Sequence, residues 1–185
     1  MTRILFIVGS IRKGSFNRQL SDIAEKIVSE WAVVDRLDIS AFPFMNQDSE
    51  FPAPEAVSDA RKKIGSADAV WIFTPEYNHS IPGVLKNALD WLSRPLDPAD
   101  PQRVSAVTGK KVIMTGAGGG KKTAFCRAAL KDLLTFIGME VLDDEGRGFA
   151  LDRLAFTENA WEPDGQCVSD LKEQSEILRT SLDSE

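Results

Sequence analysis

Histidine, tyrosine and cysteine are scarce: one histidine, His79, one tyrosine, Tyr77, and two cysteines, Cys126 and Cys167, in 185 residues. With a single imidazole, a zinc site would need an unusual ligand set, and a Ser-His-Asp triad would have to be built around that one ring. The cysteines lie far apart and form no C-x-x-C pair, and no signal-like apolar region follows the first residues. That combination predicts a reducing, cytoplasmic setting with buried free thiols. No apolar run approaches the roughly 18 residues of a membrane span. Basic side chains are the minority, 22 against 28 acidic, for a net charge of −6. That balance argues against nucleic acid and anionic membranes as partners, since both require a basic surface. The dinucleotide fingerprint G-x-G-x-x-G is missing, as are internal repeats and low-complexity tracts.

What is present is an ordinary globular mixture. An apolar fraction of 43% is ample for a core, and the length predicts a single domain spanning residues 1–185. Short, nearly continuous apolar runs at 4–8, 69–73 and 112–114 fit strands buried on both faces of a parallel sheet. Weaker runs at 33–39 and 139–142 read as edge strands. Helical spacing fills the gaps: Leu20 to Trp31, then Val57, Ala60 and Ile64, then Leu85, Leu89 and Leu92. Cys126 to Ile137 makes the cleanest stripe, and Leu171, Leu178 and Leu182 close the chain. This alternation predicts a doubly wound α/β domain, flavodoxin-like, with about five parallel strands in the order 2-1-3-4-5. Residues 95–109 and 143–165 lack periodicity and read as functional loops or rims.

Ligands of such sheets sit beyond the carboxyl ends of the strands, so three segments matter. The first is Gly9-Ser10-Ile11-Arg12-Lys13-Gly14-Ser15-Phe16-Asn17, running from a strand into a helix. Its hydroxyls, guanidinium, amide and free N–H groups converge on an anion, and the helix dipole adds to the attraction. Side-chain donors suit a terminal phosphate monoester better than a pyrophosphate, which needs glycines for close backbone approach. A plain N-cap accounts for Ser15 but not for Ser10, Arg12 and Asn17 beside it. The second is Thr74-Pro75-Glu76-Tyr77-Asn78-His79-Ser80-Ile81-Pro82, whose prolines suit a rigid ring-binding loop; His79 has no assigned role. The third, Thr115 to Thr123, resembles a P-loop but fails its pattern twice. Thr115 stands at the first glycine position, and Lys122 stands where a magnesium-binding hydroxyl belongs.

These blocks resemble the NADPH-dependent FMN reductase family, with the bacterial quinone and chromate reductase branch as the nearest likeness. The resemblance rests on residues 9–17 and on Thr-Pro-Glu-Tyr-Asn-His-Ser-Ile-Pro-Gly at 74–83, continued by Leu-Lys-Asn-Ala-Leu-Asp-Trp-Leu-Ser at 85–93. It implies bound FMN, with Ser10, Arg12, Ser15, Phe16 and Asn17 on its phosphate and ribityl end. Pro75, Glu76, Tyr77 and Asn78 would line the isoalloxazine through main-chain groups, and Gly116, Ala117, Gly118 and Gly119 would face its other edge. The third loop departs from the family pattern, which often has a serine there and an arginine soon after.

The resemblance also implies NADPH or NADH as co-substrate and a small-molecule electron acceptor: a quinone, chromate or an azo compound, served by a ping-pong mechanism. The cofactor carries the chemistry, so no catalytic side chain and no metal is expected. The rival reading is a flavodoxin-like electron carrier serving a protein partner. Similar proteins form homodimers, and some form homotetramers through a tyrosine that this chain lacks after its third loop. The helix over 84–93 carries Ala88 and Trp91 beside its leucine stripe. That extra width fits either a partner subunit or the sheet.

Overall fold

The computed structural model describes residues 1–184. Strands β1 (Arg3–Val8), β2 (Val33–Leu37), β3 (Ala69–Phe73), β4 (Lys111–Gly118), β5 (Glu140–Val141) and β6 (Arg147–Ala150) alternate with helices. These are α1 (Phe16–Val28), α2 (Glu55–Ser66), α3 (Gly83–Leu92), α4 (Ala124–Phe136), α5 (Arg153–Thr157) and α6 (Gly165–Asp183). The sheet runs β2-β1-β3-β4-β5, with β6 also paired to β4, and every pairing is parallel. The expected flavodoxin-like order is therefore present.

The apolar runs become central strands because both faces are covered. Leu5, Ile7, Val70 and Ile72 point toward α2, α3 and α4, where they meet Val57, Ile64, Leu85 and Leu130. Ile4, Phe6, Trp71 and Phe73 point the other way, toward Leu20 and Ala24 of α1 and Leu171 and Leu178 of α6. Alternation within each strand thus builds two cores, one per face. On the α6 side the Trp71 indole donates to the Thr115 hydroxyl (2.8 Å), which donates to Gln174 Oε1 (2.6 Å). Gln174 Nε2 in turn donates to Met114 O (3.0 Å) and Asp143 Oδ2 (2.8 Å). Every polar atom in this buried chain has a partner, which is what makes burying it tolerable.

The structure corrects the sequence reading at two places and decides an open alternative at a third. First, β4 does not stop at residue 114 but continues through Gly116–Gly118, where it pairs with β6. Second, residues 143–165 contain β6 and α5 as well as loop. β5 and β6 lie end to end along one edge of β4, separated by a tight turn that closes on Gly146 N–H to Asp143 O (2.5 Å). Gly146 sits at φ +67°, with its Cα against the main chain of Met114, so no side chain fits there. A four-residue strand with Phe149 as its one core side chain gives no periodic signal. Third, the surplus width of α3 is used inside the chain. Leu85, Ala88, Leu89, Trp91 and Leu92 are all buried, and the Trp91 indole donates to Pro43 O (2.8 Å). The 95–109 segment packs as a rim, with Leu96 N–H bonded to Val104 O (2.9 Å) and Ala106 and Val107 buried.

Candidate active site

The carboxyl ends of β1, β3 and β4 open on a cavity of about 330 Å³. Ser10, Arg12, Ser15, Phe16, Asn17, Pro75, Glu76, Tyr77, Ala117, Gly118 and Gly119 line it, joined by Leu151, Ala155 and Phe156. All the candidate residues of the three loops meet there except Asn78 and Gly116.

The first loop turns on Ser15 N–H to Arg12 O (3.2 Å) and delivers Ser15 as N-cap of α1, its Oγ accepting from Arg18 N (3.3 Å). The Ser10 hydroxyl has no hydrogen-bond partner among the described residues and stands in the cavity wall. Arg12 lies over the Phe16 ring, 4.8 Å from its centroid, and donates to Gly14 O (2.5 Å) and Asn159 Oδ1 (2.7 Å). Asn17 spends its amide on the sheet: Oδ1 accepts from Ala117 N (2.8 Å) and Nδ2 donates to Ala117 O (3.1 Å). Its side chain fixes where α1 begins relative to β4.

The second loop lines the cavity with Pro75, Glu76 and Tyr77. The Glu76 carboxylate turns back and accepts from Cys126 N (2.9 Å) in the first turn of α4, where the helix dipole favours it. Tyr77 and Ser80 exchange backbone hydrogen bonds (3.2 and 3.0 Å), with Asn78 and His79 between them at φ +52° and +56°. Two successive positive φ values are the mark of a type I′ turn, and asparagine is among the few residues that tolerate the first. Asn78 thus shapes the loop without lining the cavity. His79, which had no role in the sequence reading, stacks on Phe125 with centroids 4.3 Å apart and tethers the turn to α4.

In the third segment Gly116 lies within β4, pressed against the Thr123 hydroxyl, and a Cβ there would come within 2.8 Å of Thr74 O. Its glycine serves strand packing. Gly119 differs, because a Cβ at that position would meet no protein atom. The fourth wall escaped the sequence reading. Asp152 caps α5 by accepting from Ala155 N (3.0 Å), which brings Ala155 and Phe156 to the cavity. Trp161 beyond it packs edge-on against Phe16, centroids 5.9 Å apart. The Asp152 cap ahead of an apolar group is the one local signal that pointed to this helix.

Neither cysteine lines the cavity. Cys126 lies behind the second loop, and burial pushes its thiol up to about 11 despite the Thr74 hydroxyl beside it. Burial likewise raises Cys167, to about 12, so both are protonated at neutral pH. Among the described residues no three His, Cys, Asp or Glu side chains gather where a metal ion would fit.

A profile of the NADPH-dependent FMN reductase family matches residues 2–150. The chain belongs to this family. An NAD(P)H-dependent FMN reductase of Pseudomonas aeruginosa is 34% identical over 170 residues, covering 91% of this chain and 85% of that protein. The quinone reductase of Escherichia coli K12 is 37% identical over 145 residues, 76% of this chain and 73% of its own. A 2-hydroxy-1,4-benzoquinone reductase of Burkholderia is 44% identical over 93 residues, so the match spans about half the length of either chain (50% and 51%). Among solved structures, FerB, a flavoenzyme NAD(P)H:(acceptor) oxidoreductase from Paracoccus denitrificans, superposes with a TM-score of 0.85 at 27% identity. That superposition covers 100% of this chain and 98% of FerB. For a member of the FMN reductase family, the expected partners are FMN and a nicotinamide coenzyme. The family match ends at residue 150, so the α5 wall lies outside it.

Proposed function

We propose that the cavity at the ends of β1, β3 and β4 holds FMN and that the chain, working as one FMN-binding domain, is an NAD(P)H-dependent quinone reductase. The convergence of three strand-end loops on one cavity carries this reading, because its donors are graded to match the ligand. At the α1 end stand the free Ser10 hydroxyl, the Ser15 cap, the unsatisfied first-turn N–H groups and the Arg12 charge. That set suits a phosphate monoester. At the other end Pro75, Tyr77, Gly118 and Gly119 form the wall, and the two glycines put no side chain into it, which suits a flat ring. The one carboxylate nearby, Glu76, is drawn away to α4, so no fixed negative charge opposes the ring.

When bound, FMN supplies hydride acceptance from a nicotinamide and one- or two-electron delivery to an acceptor. The chain's own contribution is placement and polarity. Asn17 and the Tyr77–Ser80 turn hold the two ends of the cavity in register, each through hydrogen bonds to main chain. Leu151, Ala155 and Phe156 shield one side from water.

Quinones are the acceptor class that the names of the Escherichia coli and Burkholderia relatives favour; chromate and azo compounds are secondary acceptors. One open face serves nicotinamide and acceptor in turn. Initial rates at several quinone concentrations are therefore expected to give parallel double-reciprocal lines. Intersecting lines would overturn the shared site. NADPH turnover with quinone and no added protein separates this reading from an electron carrier, which requires a partner. The minimal unit is a two-fold homodimer in a reducing cytoplasm, where the buried free thiols stay reduced. Exposed Phe44 and Phe125, beside the α3 and second-loop regions, support that pairing. Light scattering of the FMN-loaded protein tests it, and a monomer mass would refute it.

A further inference from the structure

Two aromatic rings line the cavity without being packed by the chain itself. Tyr77 is 50% exposed and Phe156 67%, and neither touches another ring among the described residues. They belong to different walls. β4 lies between β3 and β6, so the loop after β3, with Tyr77, and the segment after β6, with Phe156, rise on either side of the β4 end. Gly118 and Gly119 lie between them, and a Cβ at Gly119 would meet no protein atom. The result is a slot with a glycine floor and an aromatic ring at each side. Phe156 is fixed there by its backbone. Leu151 N–H donates to Gly118 O (2.7 Å) ahead of α5, and Asp152 caps the helix on Ala155 N. Beyond it, Asn159 Oδ1 accepts from Arg12 (2.7 Å) and Trp161 O accepts from Gln19 Nε2 (2.9 Å). Ala155 packs into the core, so the next residue, about 100° further round the helix, faces out. An aromatic ring left in water on a fixed seat is apolar surface that a flat ligand covers at little conformational cost. This wall lies beyond residues 2–150 of the family match.

We propose that Phe156 selects the electron acceptor: its ring packs against the second ring of bicyclic aromatic quinones and favours them over single-ring benzoquinones. The assignment rests on the reading of the cavity as the flavin site of a quinone reductase. A bicyclic acceptor has a ring to spare for the α5 wall while its quinone ring meets the flavin, and a benzoquinone has none. Offset or edge-on contact between aromatic rings adds to the apolar area that such a ligand buries. Leu151 and Ala155 flank Phe156 with further apolar surface, and the Glu76 carboxylate is committed to α4, so no fixed charge on this side opposes an uncharged ring.

The test is calorimetric titration of the oxidised, FMN-loaded protein with 2-naphthol and, separately, with phenol, as redox-inert stand-ins for the two acceptor classes. The preference for naphthol is expected to shrink about fivefold in Phe156→Ala and to persist in Phe156→Tyr, which keeps the ring. In turnover, kcat/KM for 1,4-naphthoquinone relative to 1,4-benzoquinone falls by a similar factor in Phe156→Ala, through KM rather than kcat. A naphthol preference unchanged in Phe156→Ala, or lost equally in Phe156→Tyr, would overturn the proposal. If quinones are still reduced in that case, the aromatic wall alone is refuted and the functional reading stands. Naphthol binding that depends on Phe156 in a protein that reduces neither quinone with NADPH would instead refute the functional reading, and the acceptor role with it.

Discussion

Asn17 and Ala117 face each other across the mouth of the sheet with both of their hydrogen-bonding pairs matched, the amide of one reading the N–H and C=O of the other. The pair joins the first turn of α1 to the end of β4 in a place almost free of solvent, Asn17 being 3% exposed. Asn17→Asp keeps the size and the acceptor but sets an oxygen against Ala117 O. The expected cost is about 1–3 kcal/mol of folding stability, read from urea unfolding, together with weaker FMN binding. A variant as stable as the wild type would show that the register of α1 on β4 is set elsewhere.

Arg12 acts on two levels, as a charge beside the proposed phosphate and as the tether of Asn159. Arg12→Ala removes both, and FMN affinity should fall by about one to two decades, the worth of a charge-assisted hydrogen bond of roughly 1.5–3 kcal/mol. Asn159→Ala keeps the charge and should lose only severalfold, while amide exchange across 153–159 speeds up. Equal losses in both variants would assign the whole effect to the tether. An unchanged FMN dissociation constant in Arg12→Ala would remove the residue from the phosphate site.

The Tyr77–Ser80 turn needs a left-handed residue at Asn78. Asn78→Gly should be nearly neutral, whereas Asn78→Ala should cost about 1 kcal/mol and lower Tm by about 2–4 °C. Calorimetry of the two variants side by side decides it. A Tm for Asn78→Ala equal to that of Asn78→Gly would mean the turn relaxes to another conformation.

Both thiols should be inert in the native protein. With Cys126 raised to about 11, its thiolate fraction at pH 8 is on the order of one in a thousand, so a disulfide reagent should label it only after unfolding. The same shift predicts an alkaline loss of stability. The unfolded thiol ionises near 9.0, whereas the folded one resists until about 11. Stability from this group is intact below pH 9 and is lost as pH rises from 9 to 11. The pH slope of urea midpoints should flatten in Cys126→Ala, whatever that variant's absolute stability. An identical slope would place the alkaline transition on other groups.

Local pattern determined much of this protein. The runs ILFIV and AVWIF had to be buried strands, the leucine stripes had to be helices on their faces, and Ser15 had to cap one of them. Strand-end loops in a sheet of this order converge, so the meeting of residues 9–17 and 74–77 at one cavity was legible in the sequence. What the sequence left undecided depends on partners far along the chain. Asn17 reads as a phosphate donor until Ala117, 100 positions away, is seen to hold its amide. Gly116 reads as a loop glycine until β6 extends β4 past it and Thr123 closes over it. The α5 wall follows from a turn that works because Gly146 fits against Met114, and the apolar width of α3 finds its cover in Pro43. Periodicity records which side of an element is apolar. Which neighbour that side meets, and which polar atoms remain free for a ligand, is settled by contacts that no local window contains.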